Sequence, residues 1–200
     1  MLKRVLDICG AAFFLIVLSP VLIVIAVLIK IGSPGPVFFV QNRLGKGGAV
    51  FRMLKFRTMV ENAEQMGTGL FSYADDPRVT WVGHYLRMTS LDELPQFLNV
   101  LGGSMSIVGP RPPVTYELGD YRDFTDHMKI RFQVKPGITG LAQVSGRNDL
   151  NWDQKMIYDN RYVERFRKWG VLYDLKILVL TVWVVLSFSN IIERRAEDKK

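Results

Sequence analysis

The chain of 200 residues has a single cysteine, Cys9, and only two histidines, His84 and His127. One cysteine forms no disulfide within the chain, which suits a body that faces the reducing cytoplasm. Two histidines argue against a histidine-rich metal site. The sequence contains no internal repeat and no low-complexity tract.

Charge is missing from one long segment, because residues 8–29 contain no charged side chain. As a helix rising about 1.5 Å per residue, this segment has roughly the thickness of the hydrocarbon core of a bilayer. Lys3 and Arg4 precede it as in a signal peptide. However, the apolar run is longer than that of a typical signal peptide, and no small-residue cleavage site ends it. We therefore expect a retained N-terminal membrane element.

Ser19 and Pro20 interrupt this apolar segment near its middle. Proline lacks an N–H group and crowds the preceding turn, so it kinks or breaks a helix. The sequence is compatible with two structures. One is a spanning helix with a tolerated kink, and the other is a re-entrant helix-break-helix that enters and leaves by the same face of the membrane. Basic residues flank the segment on both sides, which suits two cytoplasmic ends: Lys3, Arg4, Lys30, Arg43 and Lys46.

The formal net charge of +7 is compatible with nucleic acid or with anionic lipids and phosphorylated substrates. The apolar N-terminus favours the second class. A second apolar stretch, residues 177–192, is short for a span and contains polar residues. We interpret it as an interfacial or packed helix with Trp183 at the headgroup level.

The remaining sequence predicts an α+β body that is mostly helical. Turn residues between two β-type runs predict a small β-hairpin in residues 37–57. The other predicted elements are a loop with a short helix (60–76), helices at 79–88 and 93–102, a proline-rich turn (109–113), a glycine-rich loop (136–146) and a helix at 152–169. The predicted organisation is a re-entrant anchor (1–36), a catalytic domain with interfacial helices (37–192) and a charged tail (193–200).

The adjacent carboxylates Asp92 and Glu93 are the main candidates for chemistry. One interpretation is structural: Ser90 and Glu93 have the spacing of a capping box at a helix start. Alternatively, Asp92 itself caps the helix. Pro95 disturbs both arrangements because it offers no N–H group. Two adjacent carboxylates also bind a hard divalent cation, and beside a metal one of them can attack a phosphoryl group.

Several basic residues are natural complements to this acidic pair. Arginine binds phosphate with two parallel hydrogen bonds, and glycine allows backbone N–H groups to approach a ligand. The candidates are Lys55 and Arg57, expected on one face of a strand, Arg87, Arg111 between two prolines, and Arg147 with Asn148 after the glycine-rich run. The alternative is a set of surface cations that cover anionic lipid headgroups. Asp159 and Asp174 are weaker candidates, because acids on a helix surface are usually solvated.

Five pieces of this sequence, in this order, resemble the monotopic phosphoglycosyl transferases of bacteria, the polyprenyl-phosphate hexose-1-phosphate transferase family. They are the apolar helix with Ser19-Pro20, KFRTM (55–59), SLDELPQ (90–96), GPRP (109–112) and the run from KPGITG to GRN (135–148). They span nearly the whole chain, which looks like the minimal catalytic form of the family.

The resemblance implies transfer of a sugar-1-phosphate from a UDP-sugar to undecaprenyl phosphate, giving undecaprenyl diphosphate-sugar and UMP. This is the first membrane step of glycoconjugate biosynthesis. It implies that Asp92 forms a covalent phosphosugar intermediate, that Mg²⁺ lies near Asp92 and Glu93, and that the Ser19-Pro20 helix is re-entrant. It also implies a location at the cytoplasmic face of the bacterial inner membrane, with phospholipid but no nucleic acid as a partner.

Three rival interpretations make different predictions. A phosphatidyl-alcohol transferase would carry repeated aspartates in a D-x-x-D-G arrangement and more spans, and neither occurs here. A membrane-anchored module that binds anionic lipid without catalysis would use Asp92 and Glu93 only as a helix cap. A family member with a true single span would place Lys3 and Gly32 on opposite faces of the membrane.

Overall fold

The computed structural model describes residues 1–67, 69, 73, 75–146 and 149–187. In this part of the chain the fold is mostly helical with a small antiparallel sheet, as predicted, and it has in addition a short parallel strand pair. The elements in chain order are α1 (Leu2–Val17), α2 (Ser19–Gly32), β1 (Phe38–Leu44), β2 (Val50–Phe56), α3 (Trp81–Thr89), α4 (Gln96–Gly102), β3 (Ser106–Val108), α5 (Asp126–Lys129), β4 (Gly137–Thr139), α6 (Leu141–Ser145), α7 (Trp152–Trp169) and α8 (Val171–Leu186).

The N-terminal apolar segment forms two helices. Leu18 caps the end of α1 and the start of α2, and Pro20 lies in the first turn of α2. Proline fits there because the first N–H groups of a helix have no intrahelical acceptor. The two helices are bent by 63°. Among the described residues no single helix has the length and apolar composition to cross a membrane, whereas this bent pair has both when taken together.

Polar contacts tie the start of α1 to the rest of the fold. Lys3 donates a hydrogen bond to Asp174 at 2.6 Å, and Arg4 donates to two backbone carbonyls of α4. Asp7 is buried and accepts a hydrogen bond from the Ser106 hydroxyl at 2.8 Å. Buried charged groups are stable only when they are paired in this way. The first turns of α1 are therefore fixed on the body.

The end of α2 is anchored on the same body. Arg57 donates to the Ser33 carbonyl at 2.8 Å and also to the carbonyl of Pro34. Apolar contacts add to this, since Ile25 and Ile29 are buried in one cluster with Phe56, Val82 and Leu86. The start of α1 and the end of α2 thus contact the body, whereas Ser19 and Pro20 at the break are exposed.

Strands β1 and β2 form the antiparallel hairpin predicted in residues 37–57. The turn between them contains Gly47 and Gly48 with φ of 66° and 77°, values that only glycine adopts without strain. Asn99 of α4 accepts a hydrogen bond from the Leu54 N–H at 2.9 Å. This bond fixes β2 beside the segment that carries the acidic pair.

The glycine-rich run 136–146, predicted as a loop, is instead β4 followed by α6, with β4 parallel to β3. A Cβ atom at Gly137 would lie 2.0 Å from the Gly109 nitrogen, and one at Gly140 would lie 2.1 Å from the Gly109 oxygen. These glycines therefore allow close backbone packing next to the turn at 110–112. The prediction was wrong because such short elements show no hydrophobic periodicity.

Helix α7 has the bounds predicted for it, and Asn151 caps it in a capping box with Gln154. Helix α8 begins earlier than the apolar stretch 177–192 indicates, directly after Gly170, which has a φ of 54°. Residues 188–192 and the predicted tail 193–200 lie outside the described residues. Helix α8 exposes a large apolar side: Leu172, Leu175, Val179, Val182, Trp183 and Leu186.

Candidate active site

The acidic pair lies in a 3-10 turn, Leu91–Glu93, between α3 and α4. Helix α3 ends at Thr89, and its C-cap residue Ser90 adopts a left-handed φ of 59° that reverses the chain. Helix α4 begins only at Gln96, with Pro95 as its N-cap residue. The helix predicted at 93–102 is therefore shorter, and the acidic pair precedes it.

The predicted capping box is not formed. The Ser90 side chain makes no capping hydrogen bond to the turn, and no side-chain cap is present on α4. The alternative, Asp92 as the cap of α4, is also wrong because Pro95 occupies that position. The reason is that the reversal at Ser90 and the missing N–H of Pro95 separate the acids from the helix start. Their conformation is that of a tight turn on a cavity wall.

Glu93 is the centre of an ion cluster. Its Oε1 atom lies 3.0 Å from Lys55 Nζ and 2.7 Å from Arg111 Nη2. Burial alone would raise the pKa of Glu93, but the charges of Arg111 and Lys55 and their hydrogen bonds outweigh it and hold this pKa well below its usual range. Glu93 is therefore ionised at neutral pH.

Asp92 differs from its neighbour in its surroundings. It is buried, its Oδ2 atom lies 3.8 Å from Lys55 Nζ, and no hydrogen bond to its carboxylate is present among the described residues. Burial raises the pKa of Asp92 above its usual value, the charge of Lys55 opposes this, and the charge of Glu93 adds to the increase. A carboxylate with a raised pKa and no hydrogen-bond donor is more basic than an ordinary one, which favours nucleophilic attack.

The two cations of the cluster are fixed by the fold. Lys55 projects from β2, next to the 3-10 turn. Arg111 lies between Pro110 and Pro112, and its carbonyl accepts a hydrogen bond from Arg131 at 2.5 Å. Proline restricts the backbone on both sides, and the contact with Glu93 holds the Arg111 guanidinium.

The other predicted phosphate-binding residues are arranged differently. Arg87 donates to the Thr58 hydroxyl at 3.0 Å and is close enough to Asp92 to lower its pKa. Arg57 was expected to share a face with Lys55, but its hydrogen bonds go to the end of α2, because β2 ends at Phe56 and the chain turns there. Arg147 and Asn148 lie outside the described residues.

A cavity of about 990 Å³ connects these residues. This volume is at the upper end of the range for small-molecule sites. The acidic pair, Lys55, Arg57, Arg87 and Arg111 all contribute to its wall. One further group of lining residues comes from the C-terminal half of the chain: Arg131, Ala142, Gln143, Trp152, Lys155 and Asp159.

Two aspartates that were predicted to be solvated on a helix surface are buried instead. Asp159 is 1% exposed and lies 2.8 Å from Arg131, and Asp174 is 5% exposed and bonds Lys3 and Tyr162. Burial raises the pKa of Asp159 to about 6, although the charge of Arg131 opposes this. A helical pattern alone did not reveal their burial, because their partners are distant in sequence.

No group of three or more His, Cys, Asp or Glu side chains in the described residues is placed to hold a metal ion. Mg²⁺ does not need such a group, since it is commonly bound by one or two carboxylates together with substrate phosphates. Asp92, whose carboxylate accepts no hydrogen bond within the described part of the chain, fits this donor set, and Glu93 beside it offers a second carboxylate that already pairs with Lys55 and Arg111.

Comparison with known proteins gives consistent matches over the chain. The family described as bacterial sugar transferase matches residues 1–188. The UDP-glucose:undecaprenyl-phosphate glucose-1-phosphate transferase of Escherichia coli (strain K12) is 46% identical over 187 residues, which cover 92% of this chain and 40% of that protein. The galactosyl transferase CpsE of Streptococcus agalactiae serotype III (strain NEM316) is 44% identical over 195 residues, which cover 92% of this chain and 42% of that protein.

A third relative is similar in size to this chain. The uncharacterized sugar transferase EpsL of Bacillus subtilis (strain 168) is 44% identical over 193 residues, 95% of this chain and 90% of that protein. The chain thus spans about two-fifths of the length of the first two relatives and nearly all of the third.

Proposed function

The chain belongs to the bacterial sugar transferase family, and from this we propose that it transfers a sugar-1-phosphate from a UDP-sugar to undecaprenyl phosphate. The products are undecaprenyl diphosphate-sugar and UMP, and the reaction is the first membrane step of glycoconjugate synthesis. The names of the relatives support the donor and acceptor classes. The names of the relatives differ in the sugar, glucose in one and galactose in another, so the donor is proposed as the class of UDP-sugars.

The observation that carries the proposal is the contrast between the two acids. Glu93 is held by Lys55 and Arg111, whereas the Asp92 carboxylate lies on the cavity wall and accepts no hydrogen bond from the residues that the structure describes. In the first step, an Asp92 oxygen attacks the sugar-linked phosphorus, and the bond from that phosphorus to the bridging oxygen of UMP breaks. The leaving UMP carries away the electron pair of the broken bond.

In the second step, a phosphate oxygen of undecaprenyl phosphate attacks the same phosphorus. The bond to Asp92 breaks, and the free carboxylate is regenerated. The covalent intermediate separates the reaction in time, so the water-soluble donor and the lipid acceptor need not occupy the cavity together.

The cations have a clear electrostatic task in these steps. A diphosphate and two carboxylates bring negative charge into one cavity, and Lys55, Arg87 and Arg111 surround it with positive charge. Fixed charges of this kind stabilise the transition state without reorganisation. Mg²⁺ bound by Asp92, Glu93 and the donor phosphates would supply further positive charge. We propose that Arg57, and Arg147 with Asn148, also contribute to substrate binding.

The anchor is proposed to be re-entrant, with both ends at the cytoplasmic face of the bacterial inner membrane. Two observations support this. The start of α1 and the end of α2 contact the same body. The segment around the break exposes apolar side chains: Phe13, Phe14, Ile16, Val17, Val21, Ile23 and Val24. An exposed apolar patch of this size favours contact with lipid. The break would then lie in the bilayer and the cavity at headgroup level.

A transfer assay tests the proposed function directly. The protein in lipid nanodiscs is incubated with undecaprenyl phosphate, Mg²⁺ and UDP-sugars labelled in the hexose, and label in the lipid fraction and released UMP are measured. We expect the two products in equal amounts and loss of both in EDTA. If no UDP-sugar yields either product while the protein still binds anionic vesicles, the chain is a lipid-binding module without catalysis.

A further inference from the structure

Five buried side-chain atoms that have no hydrogen-bond partner among the described residues belong to the part of the cavity wall contributed by α6, α7 and the segment before β4. They are both amide atoms of Gln143, Nη1 of Arg131 and both carboxylate oxygens of Asp159. The 2.8 Å contact between Arg131 and Asp159 is an ion pair, but its direction does not make a hydrogen bond. Arg131 and Asp159 are 2% and 1% exposed.

Buried polar atoms in native proteins almost always have partners, because an unpaired one loses its hydration without compensation. A cluster of them on the wall of a cavity therefore indicates a ligand. The Gln143 amide nitrogen and the Arg131 guanidinium are donors, whereas the Gln143 oxygen and the Asp159 carboxylate are acceptors. The matching ligand must offer donors and acceptors together.

This mixture excludes a phosphate as the group bound here. Phosphate oxygens only accept hydrogen bonds, and the Asp159 carboxylate would repel them. Hydroxyl groups and amides satisfy both kinds of partner and carry no charge. In a nucleotide sugar such groups occur in the nucleoside half and in the hexose half, on either side of the diphosphate.

The position of the cluster relative to the acidic pair agrees with this. Arg131 donates to the carbonyl of Arg111, and the Arg111 guanidinium contacts Glu93. The cluster is thus joined to the ion cluster through a single residue. The Arg131 guanidinium also lies 5.1 Å from the centre of the half-buried Trp152 ring, so an aromatic surface borders the same wall.

Close packing of the backbone fixes Gln143 in this wall. Gly140 starts α6, and a Cβ atom there would lie 2.1 Å from the Gly109 oxygen and 2.8 Å from the Gln143 side-chain oxygen. A larger residue at position 140 would displace both the turn before Arg111 and the Gln143 amide. A selective hydrogen-bonding site requires an amide whose orientation is fixed by its surroundings.

We propose that Gln143, supported by Arg131 and Asp159, forms a specificity subsite for the uncharged hydroxyl- and amide-bearing part of the donor. This inference rests on the proposed function, since it takes a UDP-sugar as the donor. Gln143 is the specificity-determining residue of this subsite. It distinguishes donors by their uncharged part, which neither the charge of the cavity nor the acidic pair does.

The variant Gln143→Ala tests the subsite, with Gln133→Ala as the matched control because Gln133 is exposed and outside the cavity lining. The measurements are KM for the UDP-sugar, KM for undecaprenyl phosphate and the Kd of UMP by calorimetry. We expect Gln143→Ala to raise the donor KM about 10-fold or more, in line with the loss of hydrogen bonds to a buried ligand group. The acceptor KM and both control values should be unchanged.

Two arms identify which half of the donor is bound. A parallel increase in the Kd of UMP assigns the subsite to the nucleoside. An unchanged Kd of UMP, with altered relative kcat/KM for UDP-glucose, UDP-galactose and UDP-N-acetylglucosamine, assigns it to the hexose. Gln143→Glu keeps the size of the side chain but replaces the amide donor. Of the Kd of UMP and the relative kcat/KM values, it should change the same one that Gln143→Ala changes.

An unchanged donor KM in both Gln143 variants would overturn the subsite, and so would an equal increase in the acceptor KM. Turnover at saturating donor shows that each variant is folded. Failure of the proposed function is recognised separately, because the wild-type protein would then produce no lipid-linked sugar from any UDP-sugar.

Discussion

Replacement of Arg131 by methionine tests the buried part of the site most sharply. Each side chain of the Arg131 and Asp159 pair is 1% exposed, and the charged atoms are 2.8 Å apart. Methionine retains much of the apolar stem but leaves the Asp159 carboxylate buried without the partner of its ion pair. Removal of one partner from such a pair costs about 3–5 kcal/mol. For a chain of this size we expect Tm to fall by about 6–20 °C.

The effect should depend on pH. The pKa of Asp159 is about 6 in the folded protein and about 3.9 in the unfolded chain. Because the folded state holds this proton more tightly, ionisation of Asp159 lowers the stability as the pH rises through the folded value. Loss of Arg131 raises the folded pKa further. The difference in Tm between the wild type and Arg131→Met should therefore be larger at pH 8 than at pH 6.

Thermal unfolding in lipid nanodiscs, followed by tryptophan fluorescence, measures both quantities. Arg165→Met is the matched control, because Arg165 is an exposed residue of α7 and should change the stability by less than about 0.5 kcal/mol. The double variant Arg131→Met/Asp159→Leu should regain much of the lost stability, since no buried charge remains. A Tm for Arg131→Met equal to that of the control, or a difference independent of pH, would refute the reasoning.

Three further predictions follow from the contacts of the site and the anchor. Glu93→Gln removes a charge that raises the pKa of Asp92, so the acidic limb of the pH–rate profile of transfer should move to lower pH; an unmoved limb contradicts the assigned coupling. Gly137→Ala places a Cβ atom 2.0 Å from the Gly109 nitrogen and should lower Tm by several degrees and reduce transfer at least 10-fold. Gly102→Ala should do neither, because outside its own helix backbone and chain neighbours no described atom lies within 4 Å of the new Cβ. Single cysteines at Lys3 and Gly32 in a Cys9-free variant should both react with a membrane-impermeant thiol reagent from the cytoplasmic face, and labelling from opposite faces would contradict re-entry.

Local signals predicted part of this fold correctly. The hairpin in residues 37–57 and the helix at 152–169 depend on turn residues and side-chain patterns within a few residues, so the sequence alone was sufficient there. The parallel pairing of β3 with β4 joins segments about 30 residues apart and left no periodic pattern. The capping-box match at Ser90 was misleading, because Ser90 ends α3 as its C-cap residue with a left-handed φ of 59° and does not cap the turn that follows.

Four of the predicted residues lie close together as expected, but their pairings were not predicted. Asp92, Glu93, Lys55 and Arg111 were expected together, and the structure brings them together. Glu93 pairs with both cations, whereas no described residue donates a hydrogen bond to Asp92. This difference depends on how β2 and the 110–112 turn meet the 3-10 turn. Asp159 was underestimated for the same reason, since its partner Arg131 lies outside the helix that carries it.

The central claim is that Asp92 forms a covalent bond to the phosphosugar. Intact mass spectrometry of the protein incubated with Mg²⁺ and a UDP-sugar, without acceptor, tests it most directly. We predict a mass increase equal to one sugar phosphate, located on Asp92 by peptide mapping, removed by undecaprenyl phosphate and absent from Asp92→Asn. Normal transfer by Asp92→Asn, or transfer by the wild type with no adduct on Asp92, would contradict the account.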